Sequence, residues 1–170
     1  MKKAKLIIDG KEIEIIIPQE QFDKLFPPKK KTGYERVETK QTYYVVFGDS
    51  SVESVTESCG TFEDSHYIAA NYHSDKTVAE NNARADRLMR QLRRFAVEHR
   101  EKKLDWSYGN QDTKCKILYD HGEKTFDLSY NYTINVFGAI YFDSKEIAQL
   151  AIDTFKDELL WYFTEYKDSL

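Results

Sequence analysis

A pattern of ten residues occurs twice in this chain, 69 positions apart. Ala70-Asn71-Tyr72-His73-Ser74-Asp75-Lys76-Thr77-Val78-Ala79 lies over Ala139-Ile140-Tyr141-Phe142-Asp143-Ser144-Lys145-Glu146-Ile147-Ala148. Each copy reads as the end of a strand running into a helix whose Ser or Asp accepts the orphan amide hydrogens of the first turn. Upstream of the first copy, residues 42–47, 51–58 and 65–72 have the aromatic and β-branched character of strands. Residues 113–119, 125–130 and 133–142 do so upstream of the second. The first helix is expected over 75–100, with Val78, Ala85, Leu88, Met89, Leu92, Phe95 and Ala96 on one face. The second begins at Asp143 or Ser144, runs to about Tyr166, and buries Ile147, Ala151, Phe155, Leu159 and Tyr162. Two such units, 34–103 and 104–170, predict an α+β domain: an antiparallel sheet with both long helices packed on it.

Residues 1–28 read as a separate small module. Two β-branched runs within 5–17 meet at Asp9-Gly10, a pair suited to the positive φ angles of a tight hairpin turn. Pro18 ends the second strand, and 19–26 is a short helical turn with Phe22, Leu25 and Phe26 on one side. Such a hairpin buries little alone and is expected to dock, and the free face of the sheet is the natural place for it or for a partner. A linker, 29–33, follows Pro27-Pro28; its lysines repel one another and Gly33 releases the chain. Seven Gly and three Pro in 170 residues, with 41% apolar composition, suit one compact domain over 34–170. Cys59 and Cys115 are expected to be buried reduced thiols of a cytoplasmic protein, since no export signal or membrane-length apolar run is present.

The chemistry-bearing patterns are weak. Val45-Val46-Phe47-Gly48-Asp49-Ser50-Ser51 resembles the nucleophile block of the SGNH (GDSL-type) esterases, in which a serine is activated by a histidine beside an aspartate. No histidine follows His121, no Asp-x-x-His pair exists, and Gly109-Asn110-Gln111-Asp112 only echoes the oxyanion-hole block, so Gly48-Asp49-Ser50 reads as a hairpin turn. The four histidines, His66, His73, His99 and His121, fall in different elements without metal-ligand spacing, and no glycine-rich phosphate loop occurs. Neither a metal nor a cofactor is expected.

Charge segregates instead. Residues 84–103 hold eight basic against three acidic residues, and 143–168 hold seven acidic against three basic. Arg84, Arg87, Arg90 and Arg94 form a basic face able to meet nucleic acid, and Glu146, Asp153 and Asp157 an acidic face able to imitate a phosphate backbone. Trp161, at helical spacing from Asp153 and Asp157, either anchors a partner beside that acidic face or is hidden by a helix packed on two sides. The plain alternative is two solvated faces that attract each other.

The N-terminal stretch of 5–40, opening KLIIDGKEIEIIIPQEQFDKLFPPKKKTGYERV, resembles a module of small accessory proteins of Gram-positive phages and mobile elements. YIAANYHSDKTVAENNARADRLMRQLRRFAVEH and AIYFDSKEIAQLAIDTFKDELLWYF are similar to the core that follows it there. Some such proteins are anti-CRISPR inhibitors of the type II effector nuclease. The resemblance implies a non-enzymatic, phage- or mobile-element-encoded inhibitor acting in the cytoplasm of the bacterial host, with the nuclease or its guide-bound complex as partner. It transfers no contact residue to a numbered position. The alternative is a nucleic-acid-binding phage accessory protein that uses the arginine-rich helix.

Overall fold

Among the described residues, three β-hairpins, each a separate two-stranded antiparallel sheet, are spaced along the chain. The computed structural model describes residues 2–8, 11–27, 30–107, 109 and 111–166. The Asp9-Gly10 turn and Pro28 of the N-terminal module, Lys29 of the linker, Asn110, and Lys167 and Asp168 of the charge pattern lie outside those residues. The elements are β1 (Lys2–Ile8), β2 (Lys11–Ile17), α1 (Gln19–Leu25), β3 (Thr42–Val46), β4 (Val52–Thr56), α2 (Thr61–Ile68) and α3 (Lys76–Glu98). There follow β5 (Lys114–Asp120), β6 (Thr125–Asn131), α4 (Lys145–Thr154), α5 (Lys156–Trp161) and a π-helical turn, Tyr162–Tyr166. The class is α+β, and α3 packs on β3 and β4 while α4 packs on β5 and β6. None of the helices is long and apolar enough to cross a membrane, among the described residues.

The single sheet with three strands per unit is not formed. The first half of 65–72 belongs to α2, because Glu63 reaches back to accept from the Gly60 N–H at 3.0 Å and from Ser58 Oγ at 2.9 Å, and 69–72 is not a strand. That local capping outweighs the β-propensity of the aromatic residues. Residues 133–142 stay irregular, turned aside at Gly138 (φ 76°). One residue at or just past the end of each stretch still reaches its hairpin. His73 pairs with Tyr44 of β3, and Phe142 pairs with Cys115 of β5, both antiparallel.

Both copies of the sequence pattern therefore occupy matching places. Asp75 caps α3 by accepting from the Val78 N–H, and Ser144 caps α4 by accepting from the Ile147 N–H. Tyr72 and Tyr141, identical in the alignment, are both buried. The main apolar cluster joins Leu88, Leu92, Phe95 and Ala96 of α3 with Ala148, Ala151 and Ile152 of α4, Leu159 of α5, Cys115 and Phe142. A second, small cluster consists of Tyr43, Val45 and Tyr72. The N-terminal hairpin contributes to neither among the described residues, and Ile7, Ile13 and Ile16 are exposed instead of docked on another sheet. Cys115 is buried as expected, whereas Cys59 is exposed, placed in a turn at φ 58°.

Past the linker the chain is tied down rather than released. Gly33 accepts through its carbonyl from the Ser74 N–H at 2.7 Å. Glu35 accepts from the Gly33 N–H and from Ser74 Oγ, so 33–35 seal the start of α3.

Candidate partner-binding faces

The arginine stripe of α3 is partly consumed inside the molecule. Arg84 grips Glu158 of α5 with two parallel bonds, Nε to Oε2 at 2.8 Å and Nη2 to Oε1 at 3.1 Å. The same guanidinium lies 3.9 Å over the Trp161 ring. Those hydrogen bonds, helped by the guanidinium charge and opposed by burial, hold the Glu158 carboxyl below the ordinary carboxylate range. Arg90 donates to the Ser50 hydroxyl of the β3–β4 turn, and Arg94 pairs loosely with Glu98 at 3.7 Å. Arg87 is exposed and has no ion pair among the described residues.

The acidic side of α4 and α5 is differently disposed. Glu146 in the first turn of α4, Asp153 near its end and Asp157 in the first turn of α5 are all exposed. Asp153 accepts from Gln149 Nε2 at 3.1 Å, and none of the three carboxylates is ion-paired among the described residues. Asp153 shares a cleft of about 360 Å³ with Leu160, Tyr119 and Lys124. Trp161 does not stand with them. It is 7% exposed, packed under Arg84, and is a structural residue in place of an exposed anchor. A break in the helix also separates Asp153 from Asp157 and Trp161, which both lie in α5. Thr154 Oγ1 donates to the Leu150 carbonyl at 2.7 Å, and the chain leaves helical geometry at Phe155 (φ −113°) before α5 restarts. A spacing of four read through that break loses its meaning.

Elsewhere the polar groups are committed to structure. Gly48-Asp49-Ser50 makes the β3–β4 turn, with Asp49 Oδ1 accepting from the Ser51 N–H and hydroxyl. The partner of Ser50 is the Arg90 guanidinium, a proton donor that cannot serve as a general base. His73 is buried, which pushes its imidazole below the ordinary value, and its Nε2 lies 3.0 Å from Asn82 Nδ2. Among the described residues no group of three or more His, Cys, Asp or Glu side chains is placed to hold a metal ion.

Two polar nodes had no sequence signal. Glu57, 1% exposed, accepts from Arg36 Nε and Nη2, from the Tyr72 hydroxyl and from the Cys59 N–H. Asn82 joins Tyr34, His73 and Tyr166. Their partners come from distant loops, so no local period encodes them. Compared with protein-family models, with curated proteins and with solved structures, the chain matches none.

Proposed function

We propose that this chain is a non-enzymatic inhibitor of the anti-CRISPR type, docking through Glu146, Asp153 and Asp157 on a basic groove of the type II effector nuclease. The observation that carries the reading is the asymmetry between the two charged faces. The three carboxylates are exposed and none is ion-paired among the described residues, Asp153 accepting only from the Gln149 amide, whereas Arg84, Arg90 and Arg94 already have partners within the chain. Exposed carboxylates along a helix offer a nucleic-acid groove the negative charge that it is built to receive. The resemblance of the flanking segments to phage accessory proteins supplies the setting.

The test is a DNA-cleavage assay with the guide-loaded nuclease. Wild-type protein should suppress cleavage, and the Asp153→Lys/Asp157→Lys variant should need about tenfold more protein for the same effect. Absence of suppression by the wild type, or equal potency of the variant, would reject the proposal. Exposed, unpaired Arg87 favours a second reading, nucleic-acid binding by α3. In that case Arg87→Glu with Arg94→Glu abolishes a salt-sensitive binding to DNA or RNA, and the acidic variant leaves it intact. Arg84 is left out of that pair because its loss would also release Glu158 and Trp161.

A further inference from the structure

The two repeated units fill one matching position in opposite ways. The residue just before the bridging one is fully buried in both, but it is Tyr43 in the first unit and Lys114 in the second. Tyr43 stacks on Tyr72 with ring centroids 4.0 Å apart, so this place in the fold suits an aromatic ring and does not demand a lysine. The Lys114 ammonium is removed from water with no ion pair among the described residues. It donates to the Tyr132 carbonyl at 2.8 Å and lies 5.2 Å over the Trp106 ring. A buried charge left in that state is costly to the fold.

The residues on either side of Lys114 are polar and under-bonded. Asn131 stands directly opposite it on β6, so the two side chains leave the same face of the hairpin. Tyr132 follows Asn131 in the chain, so the ammonium that it holds is folded back onto the end of β6 beside that amide. Asn131 Nδ2 is buried and has no hydrogen-bond partner. On the other side, the bridge between Cys115 and Phe142 brings Asp143 alongside Lys114. Asp143 is buried, and its Oδ2 accepts from the Glu101 and Lys102 N–H groups at 2.8 and 3.2 Å, while its Oδ1 has no partner. An amine, a carboxamide and a carboxylate in one row are the parts of an amide exchange. Their bonding sets the roles: Oδ2 anchors Asp143 and leaves Oδ1 to take a proton, and the Asn131 nitrogen, held by nothing, is free to depart. Trp106, packed edge-on against Tyr141 at 4.8 Å, shields the amine from water.

We propose that Lys114 and Asn131 join in an isopeptide bond, with Asp143 as the proton carrier. Asp143 Oδ1 takes one proton from the ammonium, and the freed Nζ lone pair attacks Asn131 Cγ. The bond between Cγ and Nδ2 then breaks as a second Nζ proton passes to Nδ2, which leaves as ammonia and carries off the proton held by Asp143 as ammonium. The product is a secondary amide of Nζ and Cγ, and the reaction consumes no oxidant or cofactor. Placement of the amine beside its target on a folded hairpin replaces an encounter between separate molecules. The bond also removes the unpaired charge of Lys114 from the interior.

Intact-mass spectrometry of the purified, denatured chain reads the bond directly. The wild type should be lighter than its sequence requires by one ammonia, and tandem spectra of a protease digest should show the Lys114 and Asn131 peptides joined. Asn131→Ala, Lys114→Met and Asp143→Asn should each restore the full mass. Asp143→Asn keeps an oxygen for the Glu101 and Lys102 N–H groups, so its circular dichroism should match that of the wild type. A wild-type chain of full mass would overturn the proposal. So would an ammonia loss that Lys114→Met leaves in place and that makes the chain cleavable by hydroxylamine, the signature of a succinimide formed at asparagine. A bond that forms undiminished in Asp143→Asn would remove Asp143 from the reaction and overturn the mechanism.

Discussion

Glu57 is a heavily committed side chain that is also buried. Its carboxylate accepts from Arg36 and Tyr72 side chains and a backbone amide while almost fully removed from water. The Arg36 guanidinium, opposed by burial and assisted by the Tyr72 hydroxyl, pulls the Glu57 carboxyl from 4.5 down to about 2. Burial, with the same carboxylate as neighbour, pushes Tyr72 up to about 12. A folded-state value below the unfolded one means that Glu57 stabilises the fold fully above about pH 4.5. That contribution disappears as pH falls toward 2. Glu57→Gln should therefore lower the urea midpoint at neutral pH and flatten its decline across that acid window; an unchanged acid profile would show that another carboxylate governs it. The node was not legible in the sequence. Glu57 follows an alternating Val-Glu-Ser-Val-Thr stretch, where a glutamate reads as a solvent-facing strand residue. Only Arg36, arriving from a loop 21 residues upstream, makes its burial tolerable.

Helices were more readable than strands, and the reason is where their information resides. The apolar period of α3 is carried by its own residues, and Leu88, Leu92, Phe95 and Ala96 are buried as that period requires. The third strand of each unit depended on partners outside itself, and a Glu63 cap or a turn at Gly138 was enough to redirect it. The C-terminal helix shows the limit of periodicity, since it breaks at Phe155 beside the Thr154 back-bond, and Trp161 of α5 is buried under Arg84 of α3 although Asp157, four residues before it, is exposed. On the candidate faces, the exposure of Glu146, Asp153 and Asp157 could be anticipated from the sequence, but the capture of Arg84 by Glu158 could not. Gly33 supplies a test at this scale. It sits at φ 87°, and a Cβ there would lie 2.6 Å from Val78 Cγ2 on the first turn of α3. Gly33→Ala should cost about 2–3 kcal/mol, combining left-handed strain with a clash against a stiff β-branched side chain, as read by chemical denaturation. A loss below about 0.5 kcal/mol would mean that the segment lifts off α3 without consequence.

Across the whole molecule, the hairpins close locally while the clasp between Arg84 and Glu158 spans 74 positions. Its two ends are each about one-third exposed, so solvent weakens the ion pair, and the stacking on Trp161 adds to what remains. Arg84→Ala should lower stability by about 1–2 kcal/mol and shift tryptophan emission to longer wavelength as Trp161 gains water. The sequence distance across the clasp also bears on time. Hairpins form within microseconds, whereas this link must await the arrival of both halves of the chain. The clasp should be absent from the rate-limiting barrier, so that in stopped-flow measurements Arg84→Ala speeds unfolding and leaves the refolding rate nearly untouched. The arginine that is withdrawn from the outer surface thus acts as a latch on native lifetime, setting how long the molecule persists once folded rather than how quickly it gets there.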